Sequence, residues 1–381
     1  MGALVRALEG KRVAVVVGSG GVGKTSVSAA LALSRAMAGG RALVCTIDPA
    51  RRLATALGLG SLGNAESPVP PEAFERAGLA PAGQLHAMML DVKRTWDDLV
   101  TRHAPDAATR DRILGNRIYQ QVSGALAGSQ EYMAMEKLYE LSTERDYDLI
   151  VLDTPPTAHA LDFLEAPDRI LDFVGNETAR KLFAPAIDAG RFGARILQAG
   201  TGFVAKTLSR FTGSDVLNDV GEFLGQFQGM YDGFKERASA VRALLTRPEV
   251  GFVLVASPSP LSVDEALFFH DHLRKAGMPV AGSVANRVTP DLWPAPGGLP
   301  GAEAIAAALA AGAAFPVSPP GEGDLASRLA LTLAQHQSFA RFDAREVERL
   351  RRGAGGAHAA VPRLEGDVHD LSGLAALAAH L

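Results

Sequence analysis

Hydrophobic positions in this chain fall into short, nearly unbroken blocks, separated by longer stretches where apolar residues recur every three or four positions. RVAVVV (12–17), RALVCTID (41–48), DLIVLD (148–153), GFVLVAS (251–257) and PVAGSVAN (279–286) are blocks of the first kind. A strand with one wet face alternates apolar and polar residues, whereas a strand covered on both faces does not. The five blocks therefore predict buried parallel strands. KTSVSAALALSRAMA (24–38), QEYMAMEKLYELSTE (130–144) and SVDEALFFHDHLRKAG (262–277) carry the second pattern and predict helices. Their alternation predicts an α/β fold, a doubly wound and mostly parallel sheet with helices on its faces.

Two stretches interrupt this alternation. Residues 61–146 hold a Pro-rich loop (68–81) and then helical patterns, and 166–248 have helical periodicity with no strand block. The expected organisation is a core of 1–60, 147–165 and 249–381, with 61–146 and 166–248 inserted as an α-helical subdomain. The Ala-rich run GAEAIAAALAAGAA (301–314) predicts one more helix.

Composition narrows the class. Of 381 residues, 47% are hydrophobic and 21% charged, the balance of a soluble globular chain. A net charge of −4 leaves no overall electrostatic footprint for nucleic acid, and none is expected as a partner. VAVVV (13–17) is too short for a signal-peptide core, and no apolar run reaches the length of a membrane span. The single cysteine, Cys45, excludes an intrachain disulfide framework and a Cys-rich zinc site. A cytoplasmic setting is expected.

The chemistry is concentrated where blocks end. GSGGVGKTS (18–26) follows the first strand block and opens a helix, and Gly18-x-x-x-x-Gly23-Lys24-Thr25 has P-loop spacing. The glycines let backbone N–H groups turn toward phosphate oxygens, Lys24 neutralises β/γ charge, and Thr25 offers a hydroxyl to Mg²⁺. Gly20, Gly21, Val22, Gly23, Lys24, Thr25 and Ser26 are the expected phosphate-loop contacts, with Mg²⁺ as a cofactor. Asp153 closes DLIVLD, where an acid serves Mg²⁺ through water once a P-loop lies upstream. Asp48 ends the second block ahead of Pro49, in position either to orient an attacking water or to cap the next helix.

GSGGVGKTS, TIDPARRL, DTPPTAHALDFL (153–164), VANRV (284–288) and VPRLEGDVHDLSGL (361–374), in this order, resemble the arsenite-pump ATPase family, which includes the ATPases that deliver tail-anchored membrane proteins. The resemblance implies a dimeric P-loop ATPase whose helical parts form an apolar surface when ATP closes the dimer. It makes ATP the nucleotide cofactor, and gives Asp48 the water and Asp153 the Mg²⁺. It makes Arg51, Thr157 and His159 switch residues, brings Asn286 to adenine, and packs Pro362 and Leu364 against the base.

The chain also departs from the family pattern. Ser19 stands where the family carries a lysine that reaches the partner's phosphates. Arg51 or Arg52 is one replacement for that charge, and a lysine-bearing partner in a heterodimer is another. The cysteines that bind metal or arsenite in the family are absent. Apolar residues of the second insertion, among them Phe192, Ile196, Phe203, Phe211 and Phe223, recur at helical spacing between many glycines. They fit either packing on the core or a surface for a hydrophobic client or membrane-protein segment. The expected activity is an ATP-hydrolysing switch working as a homodimer or heterodimer. The alternatives are a weakly active heterodimer subunit and a positioning ATPase of the ParA/MinD type.

Overall fold

The block of four valines and an alanine after residue 12 becomes strand β1 (Val13–Val17), which is buried at every position. The computed structural model describes residues 2–47, 52–123, 129–154, 231–293, 298–312 and 322–381. A short helix α1 (Ala3–Ala7) precedes β1, and the glycine-rich loop after it leads into α2 (Lys24–Met37). The chain continues as β2 (Arg41–Thr46), α3 (Arg52–Ala56), β3 (Ser67–Pro68), α4 (Pro71–Arg76) and β4 (Gln84–Met89). Four helices follow: α5 (Val92–His103), α6 (Ala107–Gly115), α7 (Arg117–Val122) and α8 (Ser129–Glu144). Then come β5 (Leu149–Asp153), α9 (Tyr231–Leu245), β6 (Val250–Ala256), α10 (Pro260–Lys275) and β7 (Val280–Val288). The last elements are α11 (Ala302–Gly312), α12 (Glu322–Ala354), β8 (Ala357–Pro362) and α13 (Leu371–Ala378).

One sheet holds these strands in the order β3-β4-β2-β5-β1-β6-β7-β8. All pairs are parallel except β3 with β4. β1 lies between β5 and β6, with Val13 opposite both Ile150 and Val250. Side chains alternate across the pleat, so one strand feeds two cores. Val13, Val15 and Val17 pack with Trp96, Tyr132, Val241 and Phe269 from α5, α8, α9 and α10. Ala14 and Val16 pack with Val27, Leu31, Phe74 and Leu374 from α2, α4 and α13. Each fully buried valine contributes about 1.5–3 kcal/mol. The centre of the sheet is thus a rigid platform for the loop that leaves β1.

The helical insertion expected over 61–146 is corrected at its start. Residues 84–89 form β4, which pairs in parallel with β2 along its whole length, and 67–68 pair with β4 at the sheet edge. The helical run begins only at α5. QLHAMM has little β-branched character, and the exposed edge of β2 supplies the ladder that its own propensity does not. β8 is a further addition, with AHAAVP pairing β7 at the opposite end of the sheet. Within the second expected insertion, 166–230 lie outside the described residues, and 231–245 are helical as α9.

Local signals set the helix starts. Ser259 caps α10, its side chain accepting from the N–H of Ser262, and Pro260 occupies the first turn, where a missing N–H costs nothing. Asp91 and Asp370 cap α5 and α13 in the same way. No described helix is long and apolar enough to cross a membrane.

Candidate functional site

In a parallel sheet the loops at the carboxyl ends of the strands share one edge, and that edge is where ligands bind. Here it carries a cavity of about 1040 Å³. Its wall joins the loop after β1, helix α3, Thr154 after β5, Asn286 on β7, Pro362 at the end of β8, and residues 363, 364 and 366–369 after it.

The loop after β1 is held in shape by close approaches. Gly18 lies against the carbonyl of Val255 on β6, leaving no room for a Cβ. Gly23 has φ 93°, a conformation that side chains disfavour, and its missing Cβ would strike the Asn286 amide. α2 starts at the next residue, so its first N–H groups and the positive end of its dipole face the cavity. Lys24, 7% exposed, donates from Nζ to the carbonyls of Gly18 (2.8 Å) and Ser19 (2.9 Å). The ammonium therefore spans the mouth of its own loop.

Asp153 sits behind this loop at 1% exposure. Its Oδ2 accepts from Thr25 Oγ1 at 2.7 Å and Thr46 Oγ1 at 2.8 Å. One carboxylate oxygen thereby ties the start of α2 and the ends of β2 and β5. Thr154 adds another tie, donating from Oγ1 to the Val16 carbonyl at 2.8 Å. Thr25 and Asp153 are hard oxygen donors, and no group of three or more His, Cys, Asp or Glu suited to a metal occurs among the described residues. That donor set fits Mg²⁺, which takes one or two protein oxygens and fills its shell with water and phosphate.

Cationic side chains surround the opening: Lys24, Arg52, Arg287 and Arg363 line the cavity, with Asp367 among them. This lining suits a polyphosphate. Ser19 shares a hydrogen bond of 3.4 Å with Ser262 Oγ, and that oxygen accepts from the N–H of Ser257 at 3.1 Å. The residue at the signature-lysine position thus joins the loop to the first turn of α10. Cys45, on the other core face of β2, has its thiol pushed up to about 12 by burial. It behaves as packing.

Of the residues expected from sequence, Gly20, Gly21, Gly23, Lys24, Thr25, Ser26, Asn286, Pro362 and Leu364 all line this cavity. Val22 does not: its side chain is buried in the core, and its carbonyl accepts from Asn286. Asn286 is 5% exposed, donates from Nδ2 to the Val22 carbonyl (2.8 Å), and accepts at Oδ1 from the Arg287 N–H (3.0 Å). One amide hydrogen and one lone pair remain for a ligand. Asp48, Arg51, Thr157 and His159 lie outside the described residues. Thr46, Thr154, Arg287 and Arg363 join the site from within the same motifs, although no spacing or periodicity singles them out.

The sequence model of the family described as anion-transporting ATPase matches residues 11–294. ATPase GET3C of Arabidopsis thaliana is 26% identical over 284 residues, covering 72% of this chain and 66% of the relative. An uncharacterized protein of Streptomyces coelicolor is 29% identical over 291 residues, covering 76% of this chain and 66% of that protein. A putative arsenical pump-driving ATPase of Halobacterium salinarum is 32% identical over 187 residues, covering 47% of this chain and 27% of the relative. The chain thus spans just under two thirds of the length of the first two.

Proposed function

The chain belongs to the anion-transporting ATPase family, and from that premise we propose that it binds ATP with Mg²⁺ in the cavity after β1 and hydrolyses the γ-phosphate. The observation that carries this reading is convergence. The P-loop, the Thr25–Asp153 pair, Asn286 and the 362–364 segment come from separate parts of the chain and line or back one cavity.

In this reading the N–H groups of the loop and of the first turn of α2 hold the phosphates, and Lys24 exchanges its two carbonyls for phosphate oxygens. Asp153 positions the Thr25 hydroxyl. Thr25 and Asp153 would hold Mg²⁺, which would supply neutralisation of phosphate charge when bound. Asp48 orients the attacking water, while Arg51, Thr157 and His159 report the γ-phosphate to the helical part. Asn286 reads adenine with its remaining amide hydrogen, and Pro362 and Leu364 pack on the base.

Nucleotide-driven switching of a cytoplasmic dimer, and capture of a hydrophobic client by the helical part, complete the proposal. The relative named as GET3C supports the ATPase reading, and the apolar periodicity of 166–248 supports the client. Ser19 brings no charge to a partner's nucleotide, which favours a cation from the first switch or from a lysine-bearing partner subunit. The test is steady-state ATP turnover by the full chain with Mg²⁺, alongside Lys24→Ala and Ser19→Lys. Turnover that Lys24→Ala abolishes supports a self-sufficient ATPase. ATP binding without turnover, rescued by Ser19→Lys, supports a shared active site. Turnover that survives Lys24→Ala refutes the P-loop assignment.

A further inference from the structure

Arg287 is the only non-glycine residue with positive φ among the described residues, at 63°. A long side chain in that region is held against its own preference, and such outliers cluster where geometry serves function. The Asn286 side chain helps to hold it, because its Oδ1 accepts from the Arg287 N–H. The turn sends the guanidinium back across the nucleotide loop, where Nη1 donates to the Gly21 carbonyl at 3.1 Å. Adjacent residues of β7 thus hold adjacent carbonyls of the loop: Arg287 takes Gly21 and Asn286 takes Val22.

A trans peptide points its C=O and the following N–H in opposite directions. The described chain has no cis bonds. Pulling the Gly21 carbonyl toward Arg287 therefore turns the Val22 N–H away from it. Pulling the Val22 carbonyl toward Asn286 does the same for the Gly23 N–H. Among the described residues nothing accepts from either N–H.

We propose that Arg287 is a positioning residue which, with Asn286, latches the Gly21 and Val22 carbonyls outward so that the next two amides are aimed at the β-phosphate of the bound nucleotide. The proposal rests on the nucleotide reading above. It accounts for an arginine in a conformation suited to glycine, since glycine would satisfy the backbone and lose the latch. It also gives the loop a support that does not pass through Lys24.

The test is isothermal titration calorimetry of the full chain with ATP, ADP and AMP in Mg²⁺, on wild type, Arg287→Ala, Arg287→Gly and Arg287→Lys. The latch predicts that Ala and Gly each weaken ATP and ADP by the same factor, about fivefold for one lost hydrogen bond. AMP, which lacks a β-phosphate, binds unchanged. Arg287→Gly melts above Arg287→Ala because its backbone strain is relieved, yet binds no better. Arg287→Lys, which keeps one donor, recovers most of the loss. If wild type binds and Arg287→Gly binds ATP equally well, the latch is overturned and the nucleotide reading stands. A loss confined to ATP, marking direct γ-phosphate contact, or an equal loss for AMP, also overturns it. Failure of wild type to bind any of the three removes the nucleotide reading and the latch together.

Discussion

Gly23 and Asn286 are coupled in a way that a double-mutant cycle can measure. A Cβ at Gly23 meets two obstacles: the left-handed φ of 93° and the amide nitrogen of Asn286. The backbone obstacle costs about 1–2 kcal/mol for a residue with a side chain. The amide must move aside, which breaks its 2.8 Å bond to the Val22 carbonyl within a buried pocket. Leaving those groups unpaired costs about 1–3 kcal/mol. Gly23→Ala should therefore destabilise the chain by about 2–5 kcal/mol. Asn286→Ala alone should cost about 1–3 kcal/mol, from the same bond and the one to the Arg287 N–H. In the Asn286→Ala background no amide obstructs the new methyl, so Gly23→Ala should cost only the backbone strain. The cycle should return a favourable coupling of about 1–3 kcal/mol. Urea denaturation of the four proteins, followed by both fluorescence and circular dichroism, provides the measurement. Additive losses would refute the reasoning, because they would mean that Gly23 is required by its backbone alone.

Other residues give independent tests. Asp153→Asn keeps the shape around Thr25 and Thr46 but removes the charge, and should raise the Mg²⁺ needed for half-maximal turnover by about 10- to 100-fold. An unchanged Mg²⁺ titration would take Asp153 out of the metal's surroundings. Burial alone would raise the Glu66 carboxyl, but hydrogen bonds from Tyr147 and Arg145 outweigh it and hold the group below its ordinary value. A lowered carboxyl stabilises the fold at neutral pH and loses that contribution as pH falls through its folded titration. Tyr147→Phe should thus cost about 1 kcal/mol at neutral pH and progressively less in acid; a pH-independent cost would contradict the assignment. Cys45, 1% exposed and with its thiol pushed up to about 12, should resist a thiol-specific disulfide reagent in the native chain. Its labelling should follow urea unfolding.

Much of the sheet was legible because burial on both faces writes itself as a continuous apolar block, and β1, β2, β5, β6 and β7 all carry one. β4 and β8 do not. QLHAMM and AHAAVP become strands because β2 and β7 offer them open edges, a non-local cause that no window of sequence contains. The site divides in the same way. That Gly23, Lys24 and Thr25 share one strand-to-helix turn was legible in the spacing of GSGGVGKTS. That Asp153 ends a strand beside it was legible in the block DLIVLD. Thr46 was not, since nothing in RALVCTID announces that its hydroxyl shares an oxygen with Thr25. Arg287 was hidden for a backbone reason: a positive φ on arginine leaves no mark in composition or periodicity.

The two bonds from β7 to the nucleotide loop join residues 264 and 266 positions apart. During synthesis the loop leaves the ribosome first and its clasp far later. At about 5–20 residues per second, the interval is roughly 10–50 s. Throughout that time the growing chain displays GSGGVGKTS without the contacts that aim its amides. On the proposed nucleotide reading, retention of ATP would mark chains whose sheet has closed as far as β7 and would distinguish finished molecules from those still being made.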